Sequence, residues 1–389
     1  MVQTMPPSPK PPRRLRRWHR GLAATLLVAP LLAALLLRPD ASTGRWVGLL
    51  LLAEPLLIGL ASYTLLIMLS RRWWLSAVSV TIGSATAVAL LHAPGPPQPI
   101  ADLEIPWADQ VSACAQQNEL PSAPLRVLSW NATGAVLDDG ALDLLVEQRP
   151  DLAVVTGLQD GAFLERLAEV LPGESLSFGS RGDQVGLFVR GAFIDCDEEA
   201  GAWPLTIFGP GQGPILADYA LDQDDQAQLP DDHAARRTSG QLVFAFPHIQ
   251  GVGTVPVVAY QLPTHSSHLG SDTWTSAIHD ASRALAATAA LGGPSVVAVG
   301  HLGIPPTFQH TLAVLRGAGL HDAGGPPTWP ATIRGFPFLP LFRMERVLSG
   351  PGWHARSAVA VDMPGAHKPL LVQLEQVQSD EPTPFRDND

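Results

Sequence analysis

Cysteine, tyrosine and lysine are scarce in this chain of 389 residues, which has two cysteines, three tyrosines, and lysine only at Lys10 and Lys368. With Cys114 and Cys196 alone, at most one internal bridge can form, which excludes a small fold stapled by several disulfides. Sequence leaves two readings open for the pair, a bridge or two buried thiols. No internal repeat is found. Basic residues become sparse beyond Ala93: 10 of the 25 Lys and Arg precede it, against 2 of the 36 Asp and Glu, so the remainder carries 15 against 34 and a net charge near −19. Binding to long nucleic acid draws on phosphate neutralisation by Lys and Arg, so a surface this acidic argues against that partner. The preference for Arg over Lys, with abundant Ala, Gly and Pro, points to a GC-rich bacterial genome.

Before Ala93 stand three apolar runs, residues 21–37, 46–70 and 73–91, each near the length that crosses a hydrocarbon core of ~30 Å. Glu54 is the only ionisable acid or base inside them, and Trp46, Trp73 and Trp74 sit where interfacial aromatics belong. All three read as transmembrane helices. Arg38, Pro39 and Asp40 follow the first run where a signal-peptide cleavage site would need small residues, so that span is retained. Six basic residues, Lys10 to Arg20, precede the first span, and Arg71 with Arg72 separates the second from the third. The positive-inside rule makes the N-terminus cytoplasmic, and three crossings export the large C-terminal region. The expected location is a cell membrane, multi-pass, with lipid as partner of the spans.

The remaining chain divides into a Pro-rich spacer at 93–124, a domain at 125–376 and an acidic tail at 377–389, behind a basic segment at 1–20 and the membrane region at 21–92. Apolar runs at Leu125–Trp130, Leu152–Thr156, Val185–Val189, Leu242–Phe246, Val255–Tyr260, Val296–Val299 and Val347–Leu348 read as buried strands. Helices are expected at Asp139–Gln148, Phe163–Leu171, Asp272–Leu291 and Thr307–Arg316. This alternation predicts one α/β domain large enough to fold without metals or further disulfides.

Several segments in order resemble the endonuclease/exonuclease/phosphatase superfamily over about Leu125 to Glu375. Leu125-Arg-Val-Leu-Ser-Trp-Asn131 is similar to that family's first strand, ending in an active-site Asn. Arg149-Pro-Asp-Leu-Ala-Val-Val-Thr-Gly157 resembles its second strand but holds Gly157 where the family has a metal-binding Glu. Asp160, three residues on, would substitute only through a bulge in the strand end. Gln261 stands at a catalytic His, and Gly300-His-Leu-Gly303 replaces Gly-Asp-Phe-Asn, putting His301 and Gly303 at the Asp and Asn. Arg343-Met-Glu-Arg-Val-Leu348 looks like Arg-Ile-Asp-His-Val-Leu, with Glu345 and Arg346 substituted. Gly365-Ala-His-Lys-Pro369 matches Ser-Asp-His-Arg-Pro, keeping His367 but with Ala366 at the Asp.

The resemblance implies a two-sheet α/β sandwich. It also implies metal-assisted attack of water on a phosphoester, with Mg²⁺ or another divalent ion, if the domain is active. Asn131 and His367 are the retained catalytic positions; Asp160 and Glu345 are the carboxylates left for a metal. With the chief anionic ligand gone, both the metal and the general base are weakened. The favoured expectation is therefore a pseudoenzyme that binds an unknown ligand or protein on the outer face and needs no cofactor. The alternative is an active metal-dependent phosphoesterase, acting on a small or lipid-linked phosphoester, with a site rebuilt from His301, His367, Gln261 and Glu345 around Zn²⁺. His265 and His268 read as a polar turn, and Glu54, beside Pro55, as a carboxyl turned into a helix bundle.

Overall fold

The computed structural model describes residues 105, 107–116, 123–159, 161–179, 184–194, 202–207, 216–218, 240–262, 271–304, 309–329, 331–333, 336–337, 340, 342–363 and 365–377. Contacts divide the chain at Ala93 and Pro94, and every described residue belongs to the second unit. The three expected spans, Glu54, His265, His268, Asp160 and the acidic tail beyond Val377 lie outside the described residues. Among the described residues no helix is long and apolar enough to cross a membrane.

Two large sheets carry the domain. Their strands in chain order are β1 (Leu125–Asn131), β2 (Leu152–Leu158), β3 (Glu174–Phe178), β4 (Gln184–Val189), β5 (Ala202–Ile207), β6 (Leu216–Asp218), β7 (Gly240–Ala245), β8 (Val257–Gln261), β9 (Val297–His301), β10 (His321–Asp322), β11 (Glu345–Ser349), β12 (Trp353–Ala360) and β13 (Leu370–Gln376). The first sheet runs β12-β13-β1-β2-β4-β3 and the second β10-β11-β9-β8-β7-β5-β6. Each has a parallel pair near its middle, β1 with β2 and β8 with β9, flanked by antiparallel neighbours. Two small sheets accompany them: Gly191–Phe193, Pro247–Ile249 and Gly253–Thr254 form one, and Thr332–Ile333 with Phe336–Pro337 the other.

Period-two alternation explains how the sheets meet. Leu125 and Val127 of β1, Leu152 and Val154 of β2, Val257 and Ala259 of β8, Val297 and Val299 of β9, and Val347 of β11 join one buried cluster between the two sheets. The alternate residues of the first sheet, Leu128, Trp130, Ala153 and Val155, face helices α2 and α3 instead. Five helices are described: α1 (Ala108–Gln116), α2 (Asp139–Gln148), α3 (Ala162–Val170), α4 (Ser271–Leu291) and α5 (Gln309–Gly317). Helix α4 lies against β7 and β8 on the far side of the second sheet, burying Ile278, Ala281 and Leu285. The result is a two-sheet α/β sandwich with helices outside both sheets.

Local chemistry sets the ends of α2. The Asp138 carboxylate accepts from the Ala141 N–H at 3.0 Å as an N-cap, and Arg149 ends the helix in the left-handed region at φ 45°, just before Pro150. The spacer expected at 93–124 contains a helix of the domain. Trp107 and Val111 of this segment are buried, and the Trp107 ring packs 6.3 Å from Trp203 and 6.0 Å from Phe244. Cys114 in the same helix is disulfide-bonded; Cys196, the chain's other cysteine, lies outside the described residues.

Candidate functional site

The same alternation that builds the core delivers the candidate residues. Beyond Leu125 and Val127 on the inner face of β1 come Ser129 and then Asn131; beyond Val257 and Ala259 on β8 comes Gln261; beyond Val297 and Val299 on β9 comes His301. Register puts Gln261 beside His301 and His301 opposite Glu345 on one face of the second sheet. Ser129 Oγ donates across the sandwich to the Gly300 carbonyl at 3.1 Å, tying β1 to β9 one residue before His301. The site therefore sits where both sheets run out of apolar residues.

Two corners of this rim differ. At the first, Gly157 has a φ of 70°, next to a register shift between Thr156 and Leu158 on β2. Its N–H donates to Gln261 Oε1 at 3.1 Å. A Cβ built there would lie 2.2 Å from Thr133 Oγ1 and 2.9 Å from Asn131 Oδ1, so the space in front of the backbone is filled. Asn131 Oδ1 accepts from the Thr133 N–H at 2.9 Å, closing a local turn of the Asx kind. The strand end carries an irregularity at Gly157; Asp160 itself lies outside the described residues.

At the second corner, Glu345 is fully buried between two histidines. His301 Nδ1 lies 3.3 Å from Glu345 Oε1, and His367 Nδ1 lies 2.8 Å from the same oxygen. The two imidazole rings meet edge to face at 5.2 Å, and the Trp329 ring lies 6.1 Å from His367. Glu345 Oε2 has no hydrogen-bond partner among the described residues. One ligand atom from each of His301, Glu345 and His367 falls within 4.8 Å of the others, so the three could hold a metal ion. Burial pushes the Glu345 carboxyl upward, but hydrogen bonds and charge from His301 and His367 outweigh it and hold its pKa at about 2. Burial pulls His301 below the ordinary histidine range, against the pull of Glu345. The carboxylate is thus ionised at neutral pH and satisfied on one oxygen only.

The remaining sequence candidates fall elsewhere. Arg346 alternates with Glu345 and so leaves the inner face; its guanidinium is buried against Asp322, which also pairs with Arg343 at 2.7 Å. It is part of a structural ion-pair network. Gly303 sits at φ 69° and offers no side chain to a ligand. Ala366 contributes only its carbonyl, accepting from the Ala331 N–H at 2.8 Å. The carboxylate beside His367 comes from Glu345, twenty-two positions earlier, in place of the substituted neighbour in sequence. Thr133 was not singled out from sequence, since a polar residue after a strand end carries no signal that it will fill the space before a glycine.

No family model matches the chain, and no curated protein does. Among solved structures it is similar to an endonuclease/exonuclease/phosphatase family protein from Bacteroides thetaiotaomicron, at 14% identity and a TM-score of 0.46, over 67% of this chain and 100% of the other. It is also similar to a mannosyl-6-phosphatase from the same organism, at 13% identity and a TM-score of 0.46, over 64% and 99% of the two chains. A sphingomyelinase C from Streptomyces griseocarneus is similar at 14% identity and a TM-score of 0.41, over 65% and 99%. Likeness at this level concerns the course of the backbone and says nothing of the chemistry at the rim.

Proposed function

We propose that residues 125–376 form an endonuclease/exonuclease/phosphatase-type scaffold, tethered by residues 21–91 to the outer face of a cell membrane, that binds a ligand or protein partner and does not hydrolyse phosphoesters by a Mg²⁺-dependent route. The ordered segments from Asn131 to His367 support the scaffold. The observation that supports the absence of hydrolysis is Gly157: where the family has its metal-binding Glu stands a glycine at φ 70° whose Cβ would crowd Thr133 Oγ1 and Asn131 Oδ1, and whose backbone N–H is taken by Gln261. Mg²⁺ needs near-octahedral oxygen ligation, and an Asn already engaged in a local turn does not supply it. The acidic balance of the exported region supports a partner other than long nucleic acid.

One observation favours the active alternative. His367 keeps a carboxylate neighbour in Glu345, an arrangement suited to orienting an imidazole as a base. The full chain, purified in detergent micelles and assayed on bis-p-nitrophenyl phosphate with Mg²⁺ or Mn²⁺, distinguishes the readings. The expected rate equals that of His367→Ala; metal-dependent turnover that disappears in His367→Ala would overturn the proposal. Protease digestion of sealed vesicles tests the topology, with the C-terminal region cleaved only from the extracytoplasmic side.

A further inference from the structure

We propose that His301, Glu345 and His367 form a binding site for a borderline transition-metal ion of the Zn²⁺ class, with one coordination position left for a water or another small oxygen ligand. This site is separate from the corner at Gly157, and it stands whether or not the domain hydrolyses phosphoesters.

Geometry comes first. Tetrahedral ligands held roughly 2.0–2.1 Å from a zinc ion lie about 3.3 Å from one another. The two histidine nitrogens stand 3.3 and 2.8 Å from Glu345 Oε1, and the ligand atoms of all three residues are within 4.8 Å of one another. Small rotations of the side chains suffice to open the triangle around an ion.

Unmet bonding is the second, independent observation. Glu345 has no exposed surface, yet its Oε2 has no hydrogen-bond partner among the described residues. A buried carboxylate oxygen left unpaired costs free energy, and such atoms ordinarily find a proton donor, a water or a cation. Imidazoles facing one carboxylate can satisfy it only through their N–H groups. A divalent cation uses the lone pairs of all three residues at once.

Donor type selects the metal. Two imidazoles and one carboxylate suit Zn²⁺, Co²⁺ or Ni²⁺, whereas Mg²⁺ and Ca²⁺ require a shell of oxygens that these residues lack. Three protein ligands leave the fourth tetrahedral position to an exogenous group. A dication over one carboxylate also places a net positive charge within an otherwise acidic domain.

Equilibrium dialysis of the full chain in detergent against Co²⁺ tests the site, with visible absorption as the second readout. The expected result is one Co²⁺ per chain with the intense d–d bands of tetrahedral nitrogen and oxygen ligation, displaced by Zn²⁺ and not by Mg²⁺. The bands disappear in His301→Asn and in Glu345→Gln. Because buried variants can misfold, the unmodified chain supplies a test without substitution: Zn²⁺ at a hundredfold excess over its Kd raises Tm by about 5 °C, and Mg²⁺ leaves it unchanged. Absence of stoichiometric Co²⁺ and of a Zn²⁺ shift in the unmodified chain would overturn the proposal. Retention of the same bands in a folded His301→Asn variant would also overturn it, by placing the ion elsewhere. Hydrolysis plays no part in either readout, so failure here is distinct from failure of the binding-module reading.

Discussion

The corner at Gly157 and the corner at Glu345 stand on the same rim, yet one is closed and the other is strained by incomplete bonding. At the first, the strand-end groups bond to one another: Gln261 takes the Gly157 N–H, and Asn131 takes the Thr133 N–H. At the second, a buried carboxylate faces two imidazoles and keeps one oxygen unpaired. The two corners meet through Gln261, which bonds to Gly157 across the sandwich and stands beside His301 in the strand register.

The largest effect expected from breaking this contrast belongs to Gly157→Glu. The new Cβ falls 2.2 Å from Thr133 Oγ1 on a backbone at φ 70°, so overpacking and backbone strain combine. A loss of roughly 4 kcal/mol is expected by chemical denaturation, with partial recovery in Thr133→Gly/Gly157→Glu. Full stability of the single variant would show that the corner is open.

Glu345→Ala comes next. Removing the carboxylate leaves His301 and His367 without their shared acceptor, and breaking buried pairs of this kind costs about 3 kcal/mol. The pH dependence has a definite sign. The folded pKa, about 2, is below the ordinary 4.5, so the stabilisation is complete above 4.5 and is lost as pH falls toward 2. Urea midpoints measured across that window should fall less steeply in Glu345→Gln than in the unmodified chain. Equal slopes would remove Glu345 as the source.

Smaller effects sharpen the comparison at its edges. Ser129→Ala removes the bond to the Gly300 carbonyl that holds the sheets together beside His301, for about 1 kcal/mol. Lys368→Ala breaks an exposed pair with Asp362 at 2.8 Å and is expected to change stability by less than about 0.5 kcal/mol. That variant controls for perturbation of the segment that carries His367.

Much of the scaffold was legible because its core is written in alternation. The strands from Leu125, Leu152, Val185 and Val297 appear where their apolar runs stand, and Asp139–Gln148 is a helix with the bounds its acidic start and Arg149-Pro150 end imply. Strand β12 escaped notice because Ala355, Ser357 and Ala358 give no hydrophobic contrast, and β5 because Pro204 interrupts it. Helix α1 escaped because it is short and follows a Pro-rich run; its fixing contacts, Trp107 with Trp203 and Phe244, lie about a hundred residues away. In the site, sequence pointed to His301, Glu345 and His367, but strand register is needed to set Glu345 against His301, and the tertiary fold to bring His367 to the same carboxylate. Arg346 could not be separated from the site without knowing which face of β11 meets the other sheet.

Anomalous diffraction from crystals of the chain soaked in turn with Zn²⁺ and Mn²⁺ tests which corner of the rim takes a metal ion. The account predicts a Zn²⁺ peak about 2.1 Å from one atom each of His301, Glu345 and His367, and no peak of either metal beside Gly157. A Mn²⁺ peak next to Asn131, held by Asp160 or another carboxylate, would contradict it.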